Sequence, residues 1–352
     1  MLVFGGEPSA LINWRDLWTL QQLTGQIVHE FKGHTGPVRC LDVGSFDEAL
    51  FVSGARDNRA RVWRLDREEC MVSVSELSCL QRRLCRGQVA KSIYVFCTQK
   101  VYSGHSEAVA GVKFLQSGSR VCSMARSIHL WDVERASMMS LFEYSEGFTA
   151  FATSEWDQYM IAATELPSLH LYDMRCRGRS AEWDLDLPLY ARPMVRSVAV
   201  HPNGTLLAVG FSSGVLSLMD KRAGTVQQTF RAHSQGSVLD VHFVDSDPHL
   251  MVTSCSDRSL GVWDVSTSRA RSVAFWKDEL PDPAHSLCFV DNYLFAISSR
   301  GISVGHVQQH GSVTPETTGI KDVKITINCG QIEPLSHLLL LGCEDGAVRV
   351  CT

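Results

Sequence analysis

The sequence predicts an all-β fold, a seven-bladed β-propeller that is closed by an N-terminal strand, and three observations support this prediction. A unit that runs from Gly33 to Trp63 recurs from Ala232 to Trp263. Within each copy, short alternating apolar runs are separated by turn residues, as in antiparallel strands. A repeat of about 40–45 residues with four strands is typical of one propeller blade, and a chain of 352 residues accommodates seven of them.

Four polar side chains in each copy have the spacing needed for a hydrogen-bond chain inside one small sheet. An imidazole, a hydroxyl, a carboxylate and an indole N–H each supply the donor or acceptor that the next group lacks. The separation from histidine to aspartate is 23 residues in the first copy and 24 in the second. We interpret the two sets as structural tetrads, which are His34, Ser53, Asp57 and Trp63 in one copy and His233, Thr253, Asp257 and Trp263 in the other.

A recurring histidine, serine and aspartate also invite comparison with a nucleophilic catalytic triad. That interpretation is disfavoured because Ser53 lies in the middle of a strand, whereas a catalytic serine faces a cleft and an oxyanion hole. The sequence has no P-loop, no Gly-x-Gly-x-x-Gly after a strand and no His-Glu-x-x-His motif. We therefore predict a protein that is not an enzyme, with no catalytic residue, no cofactor and no metal site.

The other elements follow from the spacing along the chain. Residues 1–23 are predicted to be an N-terminal extension, and residues 24–352 the propeller. Because residues 24–31 resemble the strand that ends at Phe230, we expect them to form the fourth strand of the last blade and to cover an open sheet edge. After Trp63 the regular spacing breaks, and a basic insertion is predicted at about 66–103.

Two later blades depart from the repeat. Blade two, predicted at 105–142, keeps the histidine, serine and tryptophan of the tetrad but lacks the aspartate, so its polar chain cannot close in the same way. Blade six is predicted to be compact, to end near residue 313, and to contain strands at 286–290, 293–297 and 302–306.

The composition restricts the compartment and the partners. The net charge of −5 gives no overall attraction to nucleic acid, which a clustered basic surface would provide. No stretch of 18 or more apolar residues is present, and the first residues lack the features of a signal peptide. The twelve cysteines form no Cys-x-x-Cys pair, which favours a reducing compartment over a disulfide scaffold. We expect a cytoplasmic protein for which nucleic acid is a disfavoured partner.

Two sets of arginines are candidates for binding a partner. The turns that join the second and third strands of each blade form one rim, together with the turns that lead into the first strand. That rim carries Arg56, Arg59, Arg126, Arg258 and Arg300, and the insertion carries Arg82, Arg83 and Arg86. Guanidinium groups can bind a carboxylate-rich peptide or phosphate groups through bidentate hydrogen bonds. The alternative is that both sets belong to ordinary solvated turns and loops.

The motifs also carry a resemblance to a known family. The Gly-His openings and the Trp-Asp pair at Trp131 resemble those of WD-repeat proteins. The order of four further motifs is similar to the C-terminal propeller of the BEACH-plus-WD-repeat proteins, in the branch associated with endosome maturation and autophagy. These motifs are Val121-Cys122-Ser123, Val209 to Gly214, Ser254 to Trp263 and Leu341 to Arg349.

The resemblance implies a function, and the residues leave two alternatives open. It implies a non-enzymatic scaffold that binds other proteins in endosomal or vesicle traffic or in autophagy, with a peripheral location on endosomal membranes. The first alternative is a module that binds phosphoinositides or another anionic membrane surface through basic loops. The second is an RNA- or ribosome-associated scaffold, because a fold does not fix a function.

Overall fold

The regular structure consists entirely of β-strands in the part of the chain that the computed structural model describes. Within that part, no helix has the length and hydrophobicity needed to cross a membrane. The described residues are 27–44, 50–65, 100–115, 118–154, 159–175, 179–185, 193–244, 247–267, 269–277, 280–290, 293–307, 313–318, 325–333 and 338–351.

The described strands form seven antiparallel sheets of four strands each, which are the blades of a propeller. This architecture confirms the predicted fold class. In chain order the strands are β1 (Ile27–Lys32), β2 (Val38–Val43), β3 (Leu50–Ala55), β4 (Arg59–Arg64), β5 (Lys100–Ser103), β6 (Gly111–Leu115), β7 (Arg120–Met124), β8 (Ile128–Asp132), β9 (Ser137–Phe142), β10 (Phe148–Ser154), β11 (Tyr159–Thr164), β12 (Ser168–Asp173), β13 (Arg179–Asp184), β14 (Val195–Val200), β15 (Leu206–Phe211), β16 (Val215–Asp220), β17 (Thr225–Arg231), β18 (Val238–Phe243), β19 (Leu250–Cys255), β20 (Leu260–Asp264), β21 (Arg271–Trp276), β22 (Ala284–Val290), β23 (Tyr293–Ser298), β24 (Ile302–Val307), β25 (Val313–Thr318), β26 (Ile327–Ile332), β27 (Leu339–Cys343) and β28 (Ala347–Cys351).

The ring closes through the N-terminal strand, as the sequence predicts. The last blade has the strand order β1-β28-β27-β26, so its outer strand comes from the start of the chain. The β1–β28 pairing is antiparallel and extends from Ile27 opposite Cys351 to Lys32 opposite Ala347. The first strand of each blade contacts the first strands of both neighbouring blades, and these seven strands surround a central channel.

The core lies between the blades. Each apolar cluster of the described residues joins two neighbouring blades, so that seven clusters fill the seven interfaces. Second strands are covered on both faces, and all six residues of β3 are buried. Outer strands have one face toward solvent, which gives β13 its alternation of exposed and half-buried residues. The apolar runs in the sequence are therefore the second and third strands, since only these are buried on both sides.

Two element boundaries differ from the sequence prediction. The last four residues of the predicted insertion form β5, which pairs with β4, so the insertion lies between the third and fourth strands of blade one. Residues 66–99 lie outside the described residues. Blade six does not end near residue 313, because β25 follows as its fourth strand. Pro315 argues against a strand when the sequence is considered alone. An outer strand nevertheless accepts proline, because one of its edges needs no hydrogen bond.

Candidate functional site

The four polar side chains that the sequence groups in blade one form a continuous hydrogen-bond chain. The Trp63 indole N–H donates to Ser53 Oγ at 2.7 Å, and Ser53 Oγ lies 2.7 Å from His34 Nε2. On the other side of the ring, His34 Nδ1 lies 2.9 Å and 3.1 Å from the two Asp57 carboxylate oxygens. A carboxylate only accepts hydrogen bonds, so we assign the imidazole proton to Nδ1, and the Ser53 hydroxyl donates to Nε2.

Burial and hydrogen bonding set the charges of this chain. Burial lowers the pKa of His34, although Asp57 opposes the effect, and the imidazole is neutral at pH 7. Burial alone would raise the pKa of Asp57, but hydrogen bonds from His34 and from the backbone N–H groups of Thr35 and Arg59 outweigh it and lower the pKa. Asp57 therefore stays ionised and holds three donors of the turn in place.

Blade five contains a longer version of the chain. The Trp263 indole N–H donates to Thr253 Oγ1 at 2.9 Å, and His233 Nε2 lies 2.9 Å from the same oxygen. His233 Nδ1, however, lies 2.6 Å from Ser259 Oγ, and the Ser259 hydroxyl donates to Asp257. The direct contact between histidine and aspartate that the repeat suggests is absent here, because Ser259 provides a hydroxyl between them.

The two buried chains have no access to a substrate. Ser53 and Thr253 are 0% exposed, so neither hydroxyl can attack a bound molecule. His233, Cys255 and Asp257 have potential metal-ligating atoms within 4.8 Å of one another. Both nitrogens of His233 are already engaged in hydrogen bonds, and burial raises the pKa of Cys255 to about 11. This arrangement suits a structural hydrogen-bond network better than a metal centre.

Blade two lacks the aspartate, and a second histidine stacks on the histidine of the tetrad. His105 Nε2 lies 2.7 Å from Ser123 Oγ, which also accepts the Trp131 indole N–H at 2.7 Å. The His105 ring stacks on the His129 ring with a centroid distance of 3.8 Å and an interplanar angle of 19°. Both Nδ1 atoms are buried without a hydrogen-bond partner. Burial, together with the neighbouring His129, lowers the pKa of His105 to about 4, and burial also lowers the pKa of His129.

Acid is expected to destabilise the propeller through this histidine pair. Since the folded-state pKa values lie below the ordinary value of 6.5, the unfolded chain binds protons first, and stability present at pH 7 is lost as the pH falls from about 6.5 toward 4. Glu143 opposes the shift at His129 only in part. Thermal melts of His129→Phe should show a fall in melting temperature between pH 7 and pH 5 that is about 2–4 °C smaller than in the unmodified chain.

The control for this measurement is His249→Phe, because His249 is exposed in a turn. Its melting temperature should follow that of the unmodified chain at every pH. Parallel pH profiles for His129→Phe and the unmodified chain would show that the stacked pair does not titrate during unfolding.

The structure places four of the rim arginines in equivalent turns. These turns join the second and third strands of blades one, two, five and six, and their exposed arginines are Arg56, Arg126, Arg258 and Arg300. Arg59 is the exposed first residue of β4 at the end of the same turn as Arg56. Arg82, Arg83 and Arg86 lie outside the described residues, so their role stays a prediction.

Two of the rim arginines, Arg126 and Arg300, are only loosely held. Arg126 Nη2 donates to the Ser145 carbonyl at 3.1 Å, and its nearest carboxylate is that of Glu107 at 3.9 Å. Arg300 Nε lies 3.4 Å from the Asp282 carboxylate. Exposed ion pairs of this kind contribute about 0–1 kcal/mol, so these side chains can be redirected to a ligand at small cost.

Three basic residues at the channel mouth were missed in the sequence. In six of the seven first strands, the residue after the first strand position is the extra residue of a β-bulge. In blades one, four and six this residue is Arg39, Arg196 and His285, and all three are exposed and line the channel. Because antiparallel neighbours bring the start of the first strand and the end of the second strand to one rim, these residues lie on the same side as the rim arginines.

Contacts between neighbouring blades hold two carboxylates inside the channel. The channel has a volume of about 480 Å³, and residues of all seven first strands line it. Lys113 Nζ lies 2.7 Å from the Asp42 carboxylate, which also accepts the Phe114 backbone N–H. The Asp240 carboxylate accepts the Leu287 backbone N–H at 2.9 Å, and burial raises its pKa. These contacts join blade one to two and blade five to six, whereas Arg39, Arg196 and His285 line the mouth above them.

The sequence was compared with models of known protein families. A closed ring of four-stranded repeats with buried polar chains defines a repeat propeller, a class that typically serves as a non-enzymatic scaffold. The family model "WD domain, G-beta repeat" matches residues 25–64, 96–132 and 224–264. Each match includes the outer strand of one blade and the first three strands of the next. The chain thus contains WD repeats.

Several relatives extend the similarity over most of the chain. It is 26% identical to human "WD repeat-containing protein 81" over 332 residues, 92% of this chain and 15% of that protein. It is 24% identical to "Suppressor of organelle fusion 2" of Caenorhabditis elegans over 335 residues, 91% of this chain and 21% of the relative. It is 28% identical to the "Ribosome biogenesis protein WDR12 homolog" of Ixodes scapularis over 262 residues, 72% of this chain and 50% of the relative. These matches confirm the resemblance drawn from the sequence, and the chain spans at most half the length of these three proteins.

Proposed function

We propose that this propeller is a protein-interaction scaffold in endosomal or vesicle traffic or autophagy, and that it binds its partner on the mouth-side face. The mouth-side face comprises the rim arginines and the channel-mouth residues Arg39, Arg196 and His285. The observation that carries the proposal is the convergence of these exposed basic side chains from five blades on one rim of a chain whose net charge is −5.

Backbone geometry at the rim supports this choice of face. Arg258 has a φ of 66°, in the left-handed region, where Asn58 and two glycines, Gly214 and Gly346, stand in the equivalent turns. A residue with a long side chain is disfavoured there by about 1–2 kcal/mol, and such strain is often found at binding sites. An arginine at this position gives the rim a guanidinium where glycine would make the turn easier.

The relatives give partial support to the cellular role. The worm relative is called a suppressor of organelle fusion, which agrees with a role in membrane traffic. The tick relative is called a ribosome biogenesis protein, which keeps an RNA-associated scaffold as the competing function. Because the chain covers only part of these proteins, the role is tested on the chain itself.

Affinity capture should test the proposal. The tagged chain is compared with a triple variant, Arg56→Ala, Arg126→Ala and Arg300→Ala, and with a control in which Arg135, Arg222 and Arg269 on the opposite rim become Ala. Both variants remove three exposed charges, so a general electrostatic effect would change both equally. We expect the rim variant to lose most of the partner signal and the control to keep it, with equal melting temperatures.

Flotation with liposomes, with and without phosphoinositide, tests the alternative of membrane-surface binding. Binding to anionic liposomes in the absence of any captured protein would replace the scaffold by the membrane-surface function. Capture that is abolished by ribonuclease would instead favour the RNA-associated scaffold. If a deletion of residues 77–91 abolishes capture while the rim variant keeps it, the basic insertion is the binding element and the mouth-side face is not.

A further inference from the structure

The bulges in the first strands place a set of side chains at the channel mouth. A bulge adds one residue to a strand and re-aims its side chain. The shifts occur between Val38 and Cys40 and between Val195 and Ser197, so Arg39 and Arg196 are the re-aimed residues of blades one and four. His285 is the corresponding residue of blade six. All three line the channel, so they face one space from three directions.

Neither arginine has an internal counter-charge in the part of the chain that the structure describes. Among the described residues, no ion pair or hydrogen bond joins the guanidinium of Arg39 or Arg196 to a protein group. The neighbouring carboxylates of the rim have other partners. Asp282 accepts from Ser299 at 3.1 Å and pairs with Arg300, and Glu344 accepts from Asn328 at 2.8 Å. A pair of permanent positive charges is therefore available to a ligand.

The charge of Arg39 also acts on His285. Burial lowers the pKa of His285, Arg39 lowers it further, and Asp282 opposes both effects. The positive charge of Arg39 thus acts on the imidazole, and both side chains line the channel mouth. An anion bound between them would neutralise this repulsion and favour the protonated imidazole.

We infer that the channel mouth is an oxyanion subsite, in which Arg39 and Arg196, with His285 as a third donor, bind the acidic side chain of an extended segment of a partner protein. The inference rests on the proposed binding role of the mouth-side face and names the ligand of that face. The planar guanidinium offers paired donors that match a carboxylate or a phosphate group. A lipid surface is the less suitable ligand because these three residues line the channel, whereas a flat bilayer contacts the surrounding rim first.

Fluorescence anisotropy can test the subsite with defined probes. Three labelled peptides are used: one in which Glu alternates with Gly, one with phosphoserine in place of a central Glu, and one with Gln in place of every Glu. The unmodified chain should bind the first two and not the third. The double variant Arg39→Ala, Arg196→Ala should lose about tenfold or more in affinity, since it removes two charge-assisted contacts.

The matched control is the double variant Arg135→Ala, Arg222→Ala, which removes the same charge from turns on the opposite rim. It should stay within about twofold of the unmodified chain, and the double variant Arg39→Lys, Arg196→Lys should recover only a small part of the loss. The ratio of affinities for the two anionic peptides tells whether a carboxylate or a phosphate fits better. Equal losses in the Ala variant and in its control would overturn the subsite, as would binding of the Gln peptide with equal affinity.

The pH dependence of peptide affinity is a further test, because a purely structural role of His285 would not change it. Peptide affinity should rise a few-fold as the pH is lowered from 7.5 to 6, because ligand binding promotes protonation of His285. This increase should disappear in His285→Gln, and its persistence there would remove His285 from the site. Loss of phosphoinositide liposome binding in the Arg39/Arg196 variant with unchanged peptide binding would assign the mouth to a membrane instead.

The inference and the proposed function can fail separately. If affinity capture succeeds with the unmodified chain and the Arg39→Ala, Arg196→Ala variant captures the same partners, the subsite is wrong and the scaffold function stands. If the unmodified chain captures nothing that depends on the rim arginines, the scaffold function on this face is wrong whatever the peptides show.

Discussion

Deletion of residues 1–31 is expected to yield a protein that aggregates at concentrations at which the full chain stays dispersed. The deletion removes all of β1 except Lys32 and leaves β28 with an unpaired edge, which is a template for pairing with another chain. It also removes Phe31, which is 1% exposed and packs edge-to-face on Phe51 and Trp63. Truncation of one buried phenylalanine alone typically costs about 3–5 kcal/mol.

The deletion further disturbs a buried charge. The Arg349 guanidinium lies 2.6 Å from the Glu30 carboxylate of β1 and 2.6 Å from that of Asp345. Without Glu30, the largely buried Arg349 keeps only one of its two carboxylate partners. Light scattering and thermal melts should therefore show both larger particles and a lower melting temperature.

Deletion of residues 1–23 is the matched control, because it shortens the chain but leaves β1 in place. This shorter deletion should not produce aggregation. A dispersed protein with an unchanged melting temperature after removal of residues 1–31 would contradict the importance of the β1–β28 pairing.

The repeat made the fold predictable, whereas features that depend on strand pairing were not predictable. Copies of one unit fix the blade, and the similarity of residues 24–31 to a later outer strand fixes ring closure. The bulge that presents Arg39 and Arg196 becomes visible only when the first and second strands are paired, since sequence spacing does not show which residue is unpaired. Ser259 was missed for a similar reason. It follows Asp257 by two residues, and only the turn geometry places its hydroxyl between the carboxylate and His233.

The comparison of blades one and five leads to an unequal expectation for two equivalent substitutions. Asp57→Ala should destabilise the propeller by about 2–4 kcal/mol, because it leaves a buried imidazole N–H and two backbone N–H groups without their acceptor. Asp257→Ala should cost less, because His233 Nδ1 keeps its hydrogen bond to Ser259 Oγ.

Denaturant unfolding of Asp57→Ala, Asp257→Ala, Ser259→Ala and the exposed control Asp184→Ala can test this order. The control should lie within about 0.5 kcal/mol of the unmodified chain, as is usual for a surface substitution. Asp57→Asn separates charge from contact, because its amide oxygen can still accept the His34 N–H, and it should recover part of the loss. If Asp57→Ala proved no more destabilising than Asp184→Ala, the blade-one chain would contribute nothing to stability. An equal and large effect of Asp57→Ala and Asp257→Ala would instead mean that the Ser259 hydroxyl cannot hold His233 without its carboxylate.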